Sequence, residues 1–215
     1  MATGRDMILN KLRVARQPYP DIEPLQEYLP VVPSIDISAE GLVNRFVEQA
    51  KKLGGIVHRV ASEVEAINEI FDLLRDDNCV LSWSFEHISL PSLSATFEVR
   101  NIKVADPRDP AIRVGITGAD GALAATGSLV LVAGEGKYRA TSLLPPVHIA
   151  VLRSSQILPD LESWVALQRE RGLDDFREIS TVVLISGPSR TADIAMQMIM
   201  GMHGPAELHI VLIEG

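Results

Sequence analysis

Apolar residues in this chain alternate between helical spacing and short β-branched runs. Leu42, Val43, Phe46, Val47, Ala50 and Leu53 fall on one helical face that begins at Ser38, and Gly54-Gly55 ends it. Gly55 to Val60 follows as a strand. Ser62 opens a second helix with Glu65 three residues on as a capping box, and Val64, Ile67, Ile70, Phe71 and Leu74 form its expected stripe. Cys79 to Trp83 is a second strand. A helix is expected after Pro91, with Leu93, Phe97 and Val99 inward, and a strand over Asn101 to Ala105. Further strands are expected from Ile112, over Leu129 to Val132, over Val147 to Leu152 and over Thr181 to Ile185. Asp160 to Arg171 has helical spacing at Leu161, Trp164, Val165 and Leu167, and Gly172 stops it. Residues 194–202 carry methionines at 196, 198, 200 and 202 and fit a strand or a helix equally. Glu207 to Ile213 is the last strand. This β-α-β rhythm predicts the α/β class, a parallel sheet with helices on its faces.

The N-terminal part has a different pattern. Met7 to Arg16 spells a short amphipathic helix with Met7, Ile8, Leu12 and Ala15 apolar. Prolines 18, 20, 24, 30 and 33 then exclude a helix or central strand. The expected organisation is an arm over 1–37, made of that helix and an extended Pro-rich segment, and an α/β domain over 38–215.

Four stretches carry candidate chemistry. Ser186-Gly187-Pro188-Ser189-Arg190-Thr191 and Asp193 follow the Thr181–Ile185 strand. In an open α/β sheet, ligands lie beyond the carboxyl ends of strands, so these residues could hold an anion through hydroxyls, free amides and one guanidinium. They could equally be a strand-to-helix connection in which Ser189 or Thr191 caps the next turn and Arg190 pairs with Asp193. Between Gly115 and Ser128, small residues surround Thr117, Asp120, Thr126, Gly127 and Ser128. That segment is a ligand loop or a small-residue helix packed on the sheet. His148 follows Pro145-Pro146 at a strand start, and His203 lies in the turn His203-Gly204-Pro205. Either histidine is a candidate acid–base group or a hydrogen-bonded structural one. Gly134-Glu135-Gly136 reads as a hairpin turn.

Composition narrows the function classes. The 215 residues are 47% hydrophobic, which supports a substantial core, and the net charge of −8 argues against a nucleic-acid surface. Cys79 is the single cysteine, too few for a disulfide or for the usual thiolates of an iron–sulfur cluster. The five histidines show no metal-ligand spacing, so no metal and no cofactor is expected in this chain. No P-loop and no complete Gly-x-Gly-x-x-Gly occurs. No stretch approaches the roughly 20 apolar residues of a membrane helix. A cytoplasmic location is expected.

Four motifs occur in order: Gly115–Ser128, Leu143-Leu-Pro-Pro-Val-His-Ile149, Ser186–Ile194 and Gly201-Met-His-Gly-Pro205. Together they resemble the LUD-domain family of lactate utilization proteins over about residues 110–215. The resemblance implies a three-layer α/β/α domain similar to ribose-phosphate isomerases and CoA transferases. It implies an accessory role beside iron–sulfur partner proteins that together oxidise L-lactate to pyruvate. It also implies a pocket for a small anionic metabolite among the residues named above, with no catalytic residue defined. Ala125 departs from the more polar residue that relatives carry there. CoA transferases use a glutamate nucleophile, and Glu135 is the loop glutamate in a comparable setting. An independent isomerase, transferase or cyclo-ligase-like enzyme on a phosphorylated or carboxylated substrate is the alternative.

Overall fold

The computed structural model describes residues 3–15, 36–172, 179–192 and 198–215. Helix α1 (Gly4–Ala15) buries none of its residues, and the Pro-rich stretch 16–35 lies outside the described residues. The regular body begins with α2 (Ala39–Lys52), where the Ser38 hydroxyl accepts the Gly41 amide at 3.1 Å. This is an N-cap bond that satisfies one of the helix's free donors. Val43, Phe46, Val47 and Ala50 are its buried face.

Six strands form an all-parallel sheet: β1 (Ile56–Val60), β2 (Cys79–Ser82), β3 (Lys103–Val104), β4 (Val114–Thr117), β7 (Val147–Arg153) and β12 (Glu207–Ile213). Their spatial order is β1-β12-β7-β4-β2-β3. The parallel central sheet puts the chain in the α/β class. β7 and β12 are buried on both faces, as continuous apolar runs such as Ile210–Ile213 demand. α2 and α3 (Glu63–Leu74) flank opposite faces of β1. Arg59 on one face bonds Asn44 of α2 at 3.1 Å, and His58 on the other meets Glu69 of α3. α4 (Leu93–Arg100) packs beside α3, with Phe97 edge-on to Phe71 at 5.8 Å between centroids.

A second sheet is built from β8 (Ile157–Leu158), β5 (Gly121–Leu123), β6 (Ser128–Ala133) and β9 (Thr181–Ile185), in that order. Along β6, Leu129 and Leu131 join the main core. Val130 instead packs with Leu123 and Trp164 of α6 (Leu161–Glu170), and Val132 lies against that same small cluster. The period of two therefore serves two cores. A short α5 (Ala140–Leu143) lies over β4, and the strands β10 (Arg190–Ala192) and β11 (Met198–Met200) pair antiparallel.

Several expectations change. The Gly115–Ser128 segment is neither a plain loop nor a helix. It is the end of β4 followed by the β5–β6 hairpin. Thr181–Ile185 is a strand, but it runs antiparallel beside β6 in the second sheet. Its apolar run is half-buried there, with Leu184 exposed, so the rule for carboxyl ends of a parallel sheet does not apply to it. No helix starts at Ser189 or Thr191, because the chain continues as β10. Of the ambiguous methionine stretch, 198–200 is a strand and 193–197 lies outside the described residues. Val64, Val99 and Leu161 were expected inward but are exposed, at 69%, 80% and 41%. In α3, Ile70 and Leu74 of the expected stripe are buried, Ile67 and Phe71 pack half-buried against the same core, and Ala66 joins the buried row.

Candidate functional site

In the parallel sheet, β2 connects onward to β3 on one side, whereas β4 connects to β7 on the other. The loops leaving β2 and β4 diverge, and a crevice opens between them at the carboxyl edge of the sheet. This is where ligands bind in open α/β folds.

A pocket of about 330 Å³ fills that position. The loop after β2 contributes Glu86, His87 and Ser89, and the loop after β4 contributes Ala119 and Asp120. Ser155 and Gln156 come from the end of β7, and Leu167 and Arg171 from the end of α6. The walls are fixed by bonds to the scaffold. Trp83 extends the pairing with its amide on the Ile116 carbonyl at 3.0 Å, and the Ser84 amide donates to Gly136 at 2.8 Å. Gly136 has φ +70°, and a Cβ there would stand 2.6 Å from the Ser84 hydroxyl and 3.1 Å from the His87 ring. The turn is thus a glycine turn because it closes against the histidine. Gln156 donates to the Ala119 carbonyl at 2.5 Å and accepts the Arg153 amide at 2.8 Å, tying two of the loops together. Arg153 donates to the Ser89 carbonyl at 3.0 Å and pairs with Glu63.

Asp120 accepts the Val132 amide at 2.8 Å and pairs with Lys137, whose ammonium also lies 5.5 Å over the Trp83 ring. Its carboxylate is therefore committed and shapes the wall. His87 stands 3.7 Å from the Glu86 carboxylate and keeps 30% side-chain exposure. Its imidazole faces the crevice as a candidate hydrogen-bond donor or acceptor for a bound molecule. The Arg171 guanidinium is suited to a carboxylate or phosphate in two hydrogen bonds. Among the described residues, no group of three or more His, Cys, Asp or Glu side chains is placed to hold a metal ion.

Of the residues singled out in the sequence, Asp120 lines this pocket. The others lie elsewhere. Thr126, Ser128 and Ser186 form a hydroxyl chain, 2.8 Å and then 2.7 Å apart. Gly127 and Gly187 stand beside that chain and press on the end of α2. A Cβ on Gly127 would overlap the Ala50 amide, and one on Gly187 would lie 2.5 Å from the Leu53 carbonyl oxygen. The Gly127 amide itself donates to Leu123 at 2.8 Å. Arg190 donates to the Leu53 carbonyl, placing a cation at the carboxyl end of α2 where the helix dipole is negative. Ser189 accepts the Gly201 amide and donates its own to Pro205, so it joins the β10–β11 hairpin to the last turn. Thr191 pairs across to Ile199 in that hairpin, and His203 is exposed in the turn beyond it. Asp193 lies outside the described residues.

Thr117 and His148 meet inside the sheet. β7 runs parallel to β4, so His148 lies near the amino end of its strand, yet its Nε2 reaches the Thr117 hydroxyl at 2.9 Å. Both are fully enclosed, and burial pushes the His148 pKa down to about 3. Among the described residues, its Nδ1 and the Thr141 hydroxyl have no protein partner. Glu135 is exposed on the turn after β6. The sequence reading passed over Glu86, His87, Ser89, Ser155, Gln156 and Arg171. The usable signal was the set of polar positions Ser84, Glu86, His87 and Ser89 directly after the Cys79–Trp83 strand.

The LUD domain family matches residues 43–213. A protein named Lactate utilization protein C from Halalkalibacterium halodurans is 30% identical over 192 residues, covering 82% of this chain and 81% of its own length. A protein of the same name from Shouchella clausii is 26% identical over 97% of this chain and 95% of its own length. The crystal structure of a DUF162 family protein from Deinococcus radiodurans matches with TM-score 0.58 and 18% identity, over 83% of this chain and 99% of that one, a likeness of fold. By sequence over most of its length, the chain belongs to the LUD-domain family.

Proposed function

We propose that the chain is an accessory component of lactate utilization and that its switch-point crevice holds a small anionic metabolite. In this reading it works in the cytoplasm beside iron–sulfur proteins that oxidise L-lactate to pyruvate. It carries no cofactor of its own. The names of its relatives support the process. The observation that carries the site is the pocket between the β2 and β4 loops, where His87, two serines and the Arg171 guanidinium surround a space of metabolite size. Cys79, alone and half-buried, supports placing any cluster on partners.

A second reading, an independent enzyme on a phosphorylated or carboxylated substrate, is favoured by His87 beside Glu86 in the same crevice. That pair offers acid–base chemistry without a partner.

The test is reconstitution. L-lactate-dependent reduction of an electron acceptor is measured with the iron–sulfur partners alone, with this chain alone, and with both. The accessory reading expects little turnover by this chain alone and a large gain when it is added to the partners. The gain should be reduced about ten- to hundredfold by Arg171→Ala, the usual cost of about 1.5–3 kcal/mol for a lost charged hydrogen bond. Partners that work equally well without the chain would overturn it.

A further inference from the structure

Away from the crevice, four titratable side chains form a continuous line across the opposite half of the sheet. Glu69 of α3 touches His58 Nδ1 at 2.8 Å. His58 Nε2 faces His209 Nδ1 at 3.0 Å across the β1–β12 pair, with the two rings stacked at 5.3 Å. His209 Nε2 meets Glu207 at 3.1 Å. His209 is buried and His58 is largely so. From the same face α3 brings Glu69, β12 brings His209 and Glu207, and β7 brings only the apolar Val147 and Ile149.

The hydrogen count of this line is determined by its two ends. An ionised carboxylate only accepts, so His58 Nδ1 and His209 Nε2 must both carry hydrogen. Two neutral imidazoles would then turn bare lone pairs toward each other across the 3.0 Å gap. A hydrogen bond there needs one more proton. Three of the four ring nitrogens are then protonated. An imidazole is more basic than a carboxylate, with reference values of about 6.5 against 4.3, so that proton belongs on the histidines.

We infer that His58 and His209 share one extra proton at neutral pH, a single imidazolium held between Glu69 and Glu207, and that it clamps β1, β12 and α3 together. The proton comes from solvent and returns to it. A second proton is resisted, because it would set two cations face to face. Burial, the first cause, pushes His58 below the usual histidine range and His209 adds to that shift, while Glu69 opposes it. The Glu69 contact at 2.8 Å is what holds a proton on the pair against burial. Free histidines of the unfolded chain take up that second proton from about pH 6.5 downward. The clamp therefore loses stability as the pH falls below that value. At high pH the shared proton leaves and the lone pairs oppose each other. The junction is thus a pH-sensitive device, independent of the crevice.

Long-range proton–nitrogen NMR of the full chain at pH 7 tests the count. Summed over the two rings, three of four nitrogens should be protonated. In Glu207→Gln the side-chain amide can donate to His209 Nε2, and the extra proton is no longer required. The count should then fall to two, with the proton affinity of the pair down about tenfold, one pH unit. Two protonated nitrogens in the unaltered protein, or three in a folded Glu207→Gln variant, would overturn the inference. If that variant does not fold, the count in the unaltered protein decides alone.

Discussion

Gly127→Ala separates two uses of the glycines in the segment from Gly115 to Ser128. A ligand loop needs glycine so that a backbone amide can approach the ligand, and substitution would cost binding. The structure gives Gly127 another task. It sits at φ +66° in the β5–β6 turn, and its missing side chain admits the backbone of α2 at Gln49 and Ala50. A Cβ would stand 2.6 Å from the Gln49 carbonyl carbon, well inside van der Waals contact. The left-handed conformation costs a side-chain residue about 1–2 kcal/mol, and forcing a methyl into a packed junction costs about 1–3 kcal/mol more. The sum, about 2–5 kcal/mol, corresponds to a melting temperature lower by roughly 5–20 °C in a chain of this size. Urea denaturation measures it directly. Gly134→Ala is the control, because among the described residues nothing lies within 4 Å of a Cβ there and its backbone is not left-handed. If Gly127→Ala loses less than about 0.5 kcal/mol, α2 does not rest on this turn and the packing account fails.

Three further outcomes are expected. His148, pushed down to about 3 by burial, stays neutral in the fold, while an unfolded histidine protonates near 6.5. Its contribution is fully present above that pH and declines by roughly 1.4 kcal/mol per unit on acidification toward 3. Denaturation curves from pH 7 to 4 should therefore be about one proton less steep in His148→Gln. Arg190→Ala should lower stability by about 0.3–1 kcal/mol through loss of the cation at the end of α2, with binding in the crevice unchanged. A loss of binding without loss of stability would restore Arg190 to an anion site. Removing α1 should leave the melting temperature of the remainder unchanged, since that helix buries none of its residues.

Periodicity made the parallel body legible. α2, α3, β7 and β12 stand close to where apolar spacing placed them, because each has one dominant burial direction or a fully buried run. Topology was less accessible. Thr181–Ile185 spells a strand in any sheet, and nothing local to it reveals that its partner is β6 rather than a parallel neighbour. The carboxyl-end rule of a parallel sheet therefore does not apply to the loop that follows it. The residues around Ser128 and Ser186 do meet, but over the end of α2, where their hydroxyls satisfy one another. Glu86 and His87 carry no motif. Their candidacy rests on the order β4-β2-β3, in which the chain reverses direction beside them.

The most direct test of the account is calorimetric titration of the full chain with L-lactate, pyruvate and inorganic phosphate, repeated for Arg171→Ala, His87→Ala and Arg190→Ala. The account predicts saturable binding of at least one of these anions. Affinity should fall about ten- to hundredfold in Arg171→Ala, fall also in His87→Ala, and hold in Arg190→Ala. Binding that survives both crevice substitutions and disappears with Arg190→Ala would contradict it.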